Sequence, residues 1–255
     1  MIDLDYLQIV REWELQRLAD CLPPSSNILE IGGGTGHQAR RLAELGHQVA
    51  SVDLQDSVYR DHRVYPIIDY DGHTLPFPDH AFGVVLSSHV VTSIPDPTRL
   101  YSEIRRVLAP GGLCIHLIAT TTWRFWTLVG HYPAHLRGLC RWAVDRMRGH
   151  DATAETGLPR RGILRDLAIR LWLGAFPRGF ERANSALPEL WTWRRGRRIR
   201  DFSRCGFELV EVRPTRLIFT SHGLLGQRWS AESRSRWSRV LGSSSILYVL
   251  RPERK

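Results

Sequence analysis

Leu29-Glu30-Ile31-Gly32-Gly33-Gly34-Thr35-Gly36-His37 is a glycine-rich turn placed directly after a short apolar run. Glycine lets a main chain approach a ligand closely. A turn of this kind between a strand and a helix can serve a dinucleotide, a nucleoside triphosphate or a sulfonium nucleoside. A phosphate-binding loop needs G-x-x-x-x-G-K-[ST], and the one lysine of the chain is Lys255. A dinucleotide fingerprint, G-x-G-x-x-G, counted from Gly32 and Gly34 ends on His37 and fails. What is present is an acid and then three glycines at alternate positions: Glu30, Gly32, Gly34 and Gly36. Asp53 follows 17 residues after Gly36, at the end of the next apolar run. A carboxylate there can accept both hydroxyls of a ribose, and nothing in the set addresses a pyrophosphate.

Outward from this turn, the first 120 residues alternate strand and helix. Residues 6–21 carry apolar positions at helical spacing, and Pro23-Pro24 end that helix. Strands are expected at 27–31, 48–54, 64–68, 81–87 and 113–119, with helices at 36–45 and 97–108. Short strands alternating with helices specify an α/β fold, a doubly wound, mostly parallel Rossmann-like sheet. The regularity stops at Thr120. Residues 121–200 are rich in Trp, Arg, Gly and Pro, with one amphipathic helix expected over 163–175, and strand patterning resumes at 207–213 and 245–251. The expected organisation is therefore a core over 1–120, a helical Arg/Trp-rich insertion over 121–200 following the fifth strand, and final strands over 201–255 that complete the sheet.

Charge divides along the same line. Residues 1–120 hold 9 Arg against 15 Asp and Glu, whereas residues 121–255 hold 26 basic residues against 11 acidic ones. The second half also carries eight of the nine tryptophans. Cys21, Cys114, Cys140 and Cys205 stand far apart with no C-x-x-C pair, which argues against a disulfide framework or a zinc site and fits a reducing cytoplasm. The acidic, amphipathic N-terminus lacks the features of a signal peptide, and no apolar run reaches the 18 or so residues of a membrane span. The expectation is a soluble, cytoplasmic protein with no metal requirement.

The glycine turn resembles motif I of the class I S-adenosylmethionine (SAM) dependent methyltransferases, and three further segments agree in order and spacing. Asp71-Gly72-His73-Thr74-Leu75-Pro76-Phe77 resembles the acid followed by Leu-Pro-Phe in small-molecule members of that superfamily. Phe82–Ser88 is similar to their fourth strand, and Arg105–Gly112 to the helix and turn before their fifth. The resemblance implies SAM as cofactor. Glu30, Gly32, Gly34 and Gly36 would hold its methionine part, with helix N-terminal amides facing the carboxylate. Asp53 would take the ribose, Asp71 the adenine amino group, and the Gly72 N–H would face the ring. Leu54 and Ser87, at two strand ends, complete the implied cofactor-binding set. Two departures touch the pattern: Gly83 stands where Asp is frequent, and Thr92-Ser93 where Glu-His is common.

Each residue also has a plainer reading. The glycines could form only a tight turn, Asp53 could cap a helix, and Asp71 shares turn chemistry with a rival, Asp69. His89, after Ser87-Ser88 at a strand end, is the candidate general base, beside a reading in which it only lines the pocket. His73, His131, His135 and His222 are weaker candidates, and His116 is expected inside a strand. The aromatics of Thr122–Trp126 would wall in an acceptor or form a satellite core. For Trp191–Arg200 the readings are an anionic acceptor, an anionic membrane surface, nucleic acid (ranked last, for want of an RNA-binding module) or a solvated face. The function expected is methyl transfer, to oxygen before nitrogen or carbon, on a small, sugar-linked or lipid-linked metabolite. The alternative is a non-catalytic relative that docks to an anionic partner or membrane through its basic half.

Overall fold

The computed structural model describes residues 4–94, 97–148, 163–175, 179, 187–220 and 229–253. Its centre is a seven-stranded sheet of β1 (Asn27–Ile31), β2 (Gln48–Leu54), β3 (Ile68–Tyr70), β4 (Phe82–Ser88), β5 (Leu108–Ala119), β6 (Phe207–Pro214) and β7 (Ser245–Pro252), in the order β3-β2-β1-β4-β5-β7-β6. The first five strands pair in parallel; β7 runs antiparallel between β5 and β6. The Rossmann-like, mostly parallel sheet expected from the alternation is what the chain forms.

Strand alternation sorts the core into two faces. Ile28, Val84, Leu86, Ile115, Leu117, Leu247 and Val249 point one way, against Leu15 and Leu18 of α1 (Leu4–Ala19) and Leu42 of α2 (His37–Glu44). Leu29, Ile31, Val85, Tyr248 and Leu250 point the other way, against Leu100, Tyr101 and Ile104 of α3 (Pro97–Val107). Both faces are covered, as a parallel sheet requires.

The third strand is a correction. The apolar run from Val64 predicts a strand over 64–68, but β3 begins only at Ile68. Pro66 has no N–H to give to a ladder, so residues 64–67 run over the glycine turn instead, with the Val64 N–H bonded to the Thr35 carbonyl at 2.8 Å. The fifth strand begins at Leu108, earlier than expected, and Pro110-Gly111-Gly112 lies in its irregular first part.

Residues 121–200 hold more helix than the pattern suggests. The expected helix at 163–175 is present as α5 (Ile163–Ala175), but it follows α4, a 27-residue helix over Thr121–Met147 with Pro133 inside it. Thr120 caps α4 by accepting the Trp123 N–H. Two short helices follow, α6 (Glu189–Thr192) and α7 (Arg195–Arg204); α7 spans the expected boundary at 200 and packs Phe202 on the sheet beside α3. Helix α8 (Ala231–Leu241) then leads into β7.

Helices α4 and α6 are joined by a buried ion pair. Arg124 Nε lies 2.7 Å from Glu189 Oε2, with both side chains almost wholly shielded, and Trp123 stacks on Trp193 beside them. A buried pair costs its partners their hydration, so breaking it is worse than never having it. Glu189→Ala, which removes the carboxylate facing the buried guanidinium, should lower unfolding free energy by roughly 3–5 kcal/mol. Arg124→Met with Glu189→Leu should recover most of that loss. Urea denaturation of the three chains measures both.

Candidate cofactor and acceptor site

The glycine turn is pinned to β2. The carbonyl of Val52 accepts from both Gly32 N–H (2.8 Å) and Gly33 N–H (3.0 Å). At Gly32, φ is +80° and a Cβ would overlap the Val90 side chain. A Cβ on Gly33, a position the sequence pattern did not single out, would overlap Ser51 Oγ. Gly36 precedes α2 with no side-chain cap. The first amides of that helix, whose partners an α-helix cannot supply, are thus left with no side-chain acceptor at its N-terminus.

Glu30 lies under the turn, fully buried, with Oε2 accepting from Ser51 Oγ at 2.7 Å. Burial raises its carboxyl above the usual carboxylate range; Ser51 opposes this and the charge of Asp53 adds to it, leaving it at about 7. No cation faces this acid among the partners that shift it. Asp53, at the end of β2, is held by three donors: Leu54 N–H to Oδ1 (2.9 Å), and Gly34 N–H (3.1 Å) and Ser57 Oγ (2.7 Å) to Oδ2. A carboxylate has about four acceptor directions, so this one is oriented before any ligand arrives. Tyr59, half exposed, stands over Gly34.

Between the two expected adenine acids, the structure separates the roles. Asp69 is committed to Arg60 and Arg63, each at 2.7 Å. Asp71 is exposed and uses only Oδ1, which accepts the His73 and Thr74 amides at 2.8 Å. Those bonds, Thr74 first, hold its carboxyl below the usual range. Gly72 (φ +77°) sits against exposed Leu54, whose Cδ2 would lie 2.9 Å from a Cβ there. The two form one wall beside Asp71.

Ser87 is narrowed. Its hydroxyl is buried and bonds His116 Nδ1 at 2.7 Å, and His116 Nε2 meets Cys114 Sγ at 3.1 Å. Burial pushes His116 down to about 3, so it is neutral, and pushes the Cys114 thiol up. The Ser87 side chain therefore belongs to the core, which leaves only its main chain for a ligand. Ser88 next to it differs: its Oγ is buried with no hydrogen-bond partner among the described residues.

His89 turns off the end of β4 with φ +58° and gives its N–H to the Leu117 carbonyl at 2.8 Å. Its Nε2 lies 3.2 Å from Glu14 Oε1. Glu14 belongs to α1 and was not legible as a site residue. Burial would raise its carboxyl, but the charge and hydrogen bond of His89, then Arg11, and a hydrogen bond with Ser245, bring it to about 2. It is a carboxylate at any neutral pH. The weaker histidines fall elsewhere: His131 bonds the Gly174 carbonyl and stacks on His135 between α4 and α5, His73 sits in the Asp71 turn, and His222 lies outside the described residues.

Residues 29–116 match the family described as "Methyltransferase domain". Over that segment the chain resembles the class I SAM-dependent methyltransferases. An uncharacterised methyltransferase of Mycobacterium sp. (strain JLS) is 31% identical over 143 residues, 51% of this chain and 53% of that one. A ubiquinone/menaquinone biosynthesis C-methyltransferase of Cupriavidus metallidurans is 26% identical over 151 residues, 54% of this chain and 61% of that one. The chain thus spans about half the length of the curated relatives it matches. A SAM-dependent methyltransferase from Mesorhizobium loti, 19% identical, shares the fold over 94% of this chain and 97% of its own, with a TM-score of 0.52. The superfamily's cofactor is SAM. The buried Glu30 and the oriented Asp53 offer acceptors, and the start of α2 offers amides, that fit its ammonium, ribose and carboxylate.

A buried acid at about 7 has a consequence for stability. Between the unfolded value, about 4.5, and 7 the native chain binds a proton that the unfolded chain does not, so stability falls as pH rises through that window. Glu30→Gln should remove this slope and raise stability at pH 8 by about 2–3 kcal/mol. Thermal melts of both chains from pH 5 to 8 check the sign; parallel curves would refute it.

Proposed function

We propose that this chain transfers a methyl group from SAM to an oxygen of a small, sugar-linked or lipid-linked metabolite. The observation that carries the cofactor half is the cluster of Glu30, the uncapped α2 terminus, Asp53 and Asp71 inside the segment that matches the methyltransferase family. Bound SAM supplies an electrophilic methyl carbon on a sulfonium. The chain's part is to hold and orient. The α2 amides take the carboxylate, Glu30 the ammonium, Asp53 the ribose, and Asp71 with the Gly72 N–H the adenine. The ammonium would restore Glu30 to its ionised form, so cofactor binding near neutral pH should release a proton. Calorimetric titration in buffers of different ionisation enthalpy measures this, and Glu30→Gln should lose it. Asp53→Ala should weaken SAM binding strongly, on the order of 100-fold, as expected where two charge-assisted hydrogen bonds are lost.

The His89–Glu14 pair supports the acceptor half. In-line displacement forms a bond from the acceptor oxygen to the methyl carbon while the carbon–sulfur pair returns to sulfur, and the hydroxyl proton must leave. His89, with its Nε2 against the Glu14 carboxylate, would take it on its other ring nitrogen, and the carboxylate would stabilise the imidazolium that results. His89→Ala should lower kcat by about 100-fold or more with cofactor affinity unchanged. Glu14→Gln, which keeps the shape but not the charge, should lower kcat less than His89→Ala, again with cofactor affinity unchanged. Methyl-labelled SAM incubated with the protein and a cell extract, fractionated into lipid, nucleic acid, protein and small molecules, identifies the acceptor class. Binding of SAM with no label in any fraction would overturn catalysis in favour of a docking role.

A further inference from the structure

Helix α4 presents an apolar line to solvent. Phe125, Val129, Tyr132, Leu136, Cys140, Ala143 and Met147 follow one another at spacings of four and three, and all are exposed: Leu136 by 62% and Met147 by 80%. Trp123, Thr127 and Gly130 occupy the opposite, buried face. The helix is therefore attached along one side near its start and exposed along the other for about 33 Å. Helix α5 packs antiparallel beside it, His131 Nε2 to the Gly174 carbonyl and Arg170 over the Trp142 ring, and adds exposed Ile169, Leu171 and Trp172.

The rest of the hairpin is basic. Arg137, Arg141, Arg146, Arg148, Arg165 and Arg170 are all exposed, against two acids in those helices, Asp145 and Asp166; at helical spacing Arg146 lies nearest the line, while Arg141 and Arg148 fall toward the opposite face. At the inner end, Phe125 also lines an open groove of about 500 Å³ with Trp126, Leu190, Trp191 and Val240. Trp191 is 64% exposed, with the Arg194 guanidinium 3.7 Å over its ring.

Two other occupants fit less well. A second copy would bring arginines against arginines, and the line recurs with an eleven-residue period, close to a straight stripe and unlike the 3.5-residue seam of a left-handed pair. Nucleic acid would use the arginines but leave Val129, Leu136 and Met147 facing water. A flat apolar stripe bordered by arginine and by interfacial tryptophan matches a lipid headgroup boundary, with long cationic side chains reaching the phosphates.

We propose that the α4–α5 hairpin docks flat on an anionic lipid bilayer, the stripe from Phe125 to Met147 entering the headgroup boundary. This stands apart from methyl transfer: a chain that failed to bind SAM would still partition. The test uses the full chain and sedimentation with phosphatidylcholine vesicles with and without phosphatidylglycerol. Wild type should bind the anionic vesicles and release at high salt. Leu136→Asp with Met147→Asp should weaken partition by about tenfold or more, and Arg146→Glu, beside the stripe, by about fivefold at low salt. Circular dichroism and SAM titration of each variant confirm that the fold is kept. The proposal is overturned by no partition at low salt, or by partition that the stripe variant does not change. It is equally overturned by a concentration-dependent dimer that the stripe variant dissociates, or by tighter binding to RNA than to vesicles.

Discussion

The mouth of the sheet depends on one main-chain oxygen. By accepting from Gly32 and Gly33 together, the Val52 carbonyl folds the turn after β1 down onto β2. That closeness leaves no room for Cβ atoms against Val90 and Ser51. It also brings the Gly34 amide to the Asp53 carboxylate and lays Gly33 over Glu30. The glycines, the serine and the two acids are thus consequences of a single geometric decision: how closely a strand-to-helix turn may lie on the neighbouring strand.

Holding a carboxyl under that turn is unfavourable for the fold and favourable for a cation. Burial without a positive partner raises Glu30 to about 7, so the ligand-free chain keeps it partly protonated and bonded only to Ser51. Glu14 is the opposite case. It is as buried, but His89 and Arg11 face it and it sits near 2. Two carboxyls in one domain, separated only by what faces them, fall on opposite sides of the usual value. The one lacking a cation is the one beneath the turn.

The turn, the strands on either side of it and Asp53 were legible because local spacing carries them. The third strand was not, since an apolar run looks the same whether it pairs or crosses the turn, and only Pro66 distinguishes the two. Helix α4 was hidden by Pro133 together with Gly130 and Gly138, each of which reads as a break. Tertiary contacts on Trp123 and Arg124 hold the helix regardless. Glu14 had no local signal at all: it stands 75 residues from His89, and only the path of α1 along the sheet joins them. Which part of Ser87 could meet a ligand was not legible either: strand alternation turns its hydroxyl into the core, to His116.

The basic–aromatic run over 191–200, which a sequence can only treat as one patch, has three separate uses. Trp193 is buried against Trp123, Trp191 and Arg194 form an exposed rim, and residues 195–200 begin the helix that places Phe202 on the sheet. Exposed arginines of this half are spread over Arg194–Arg204 and α8 as well as α4 and α5; what sets α4 apart is the line of exposed apolar side chains along it. Screening limits such charges to about 8–10 Å at physiological salt, enough to orient a nearby surface but not to hold it. Apolar contact supplies the rest, and an exposed stripe of this length is a cost that burial against a surface would remove.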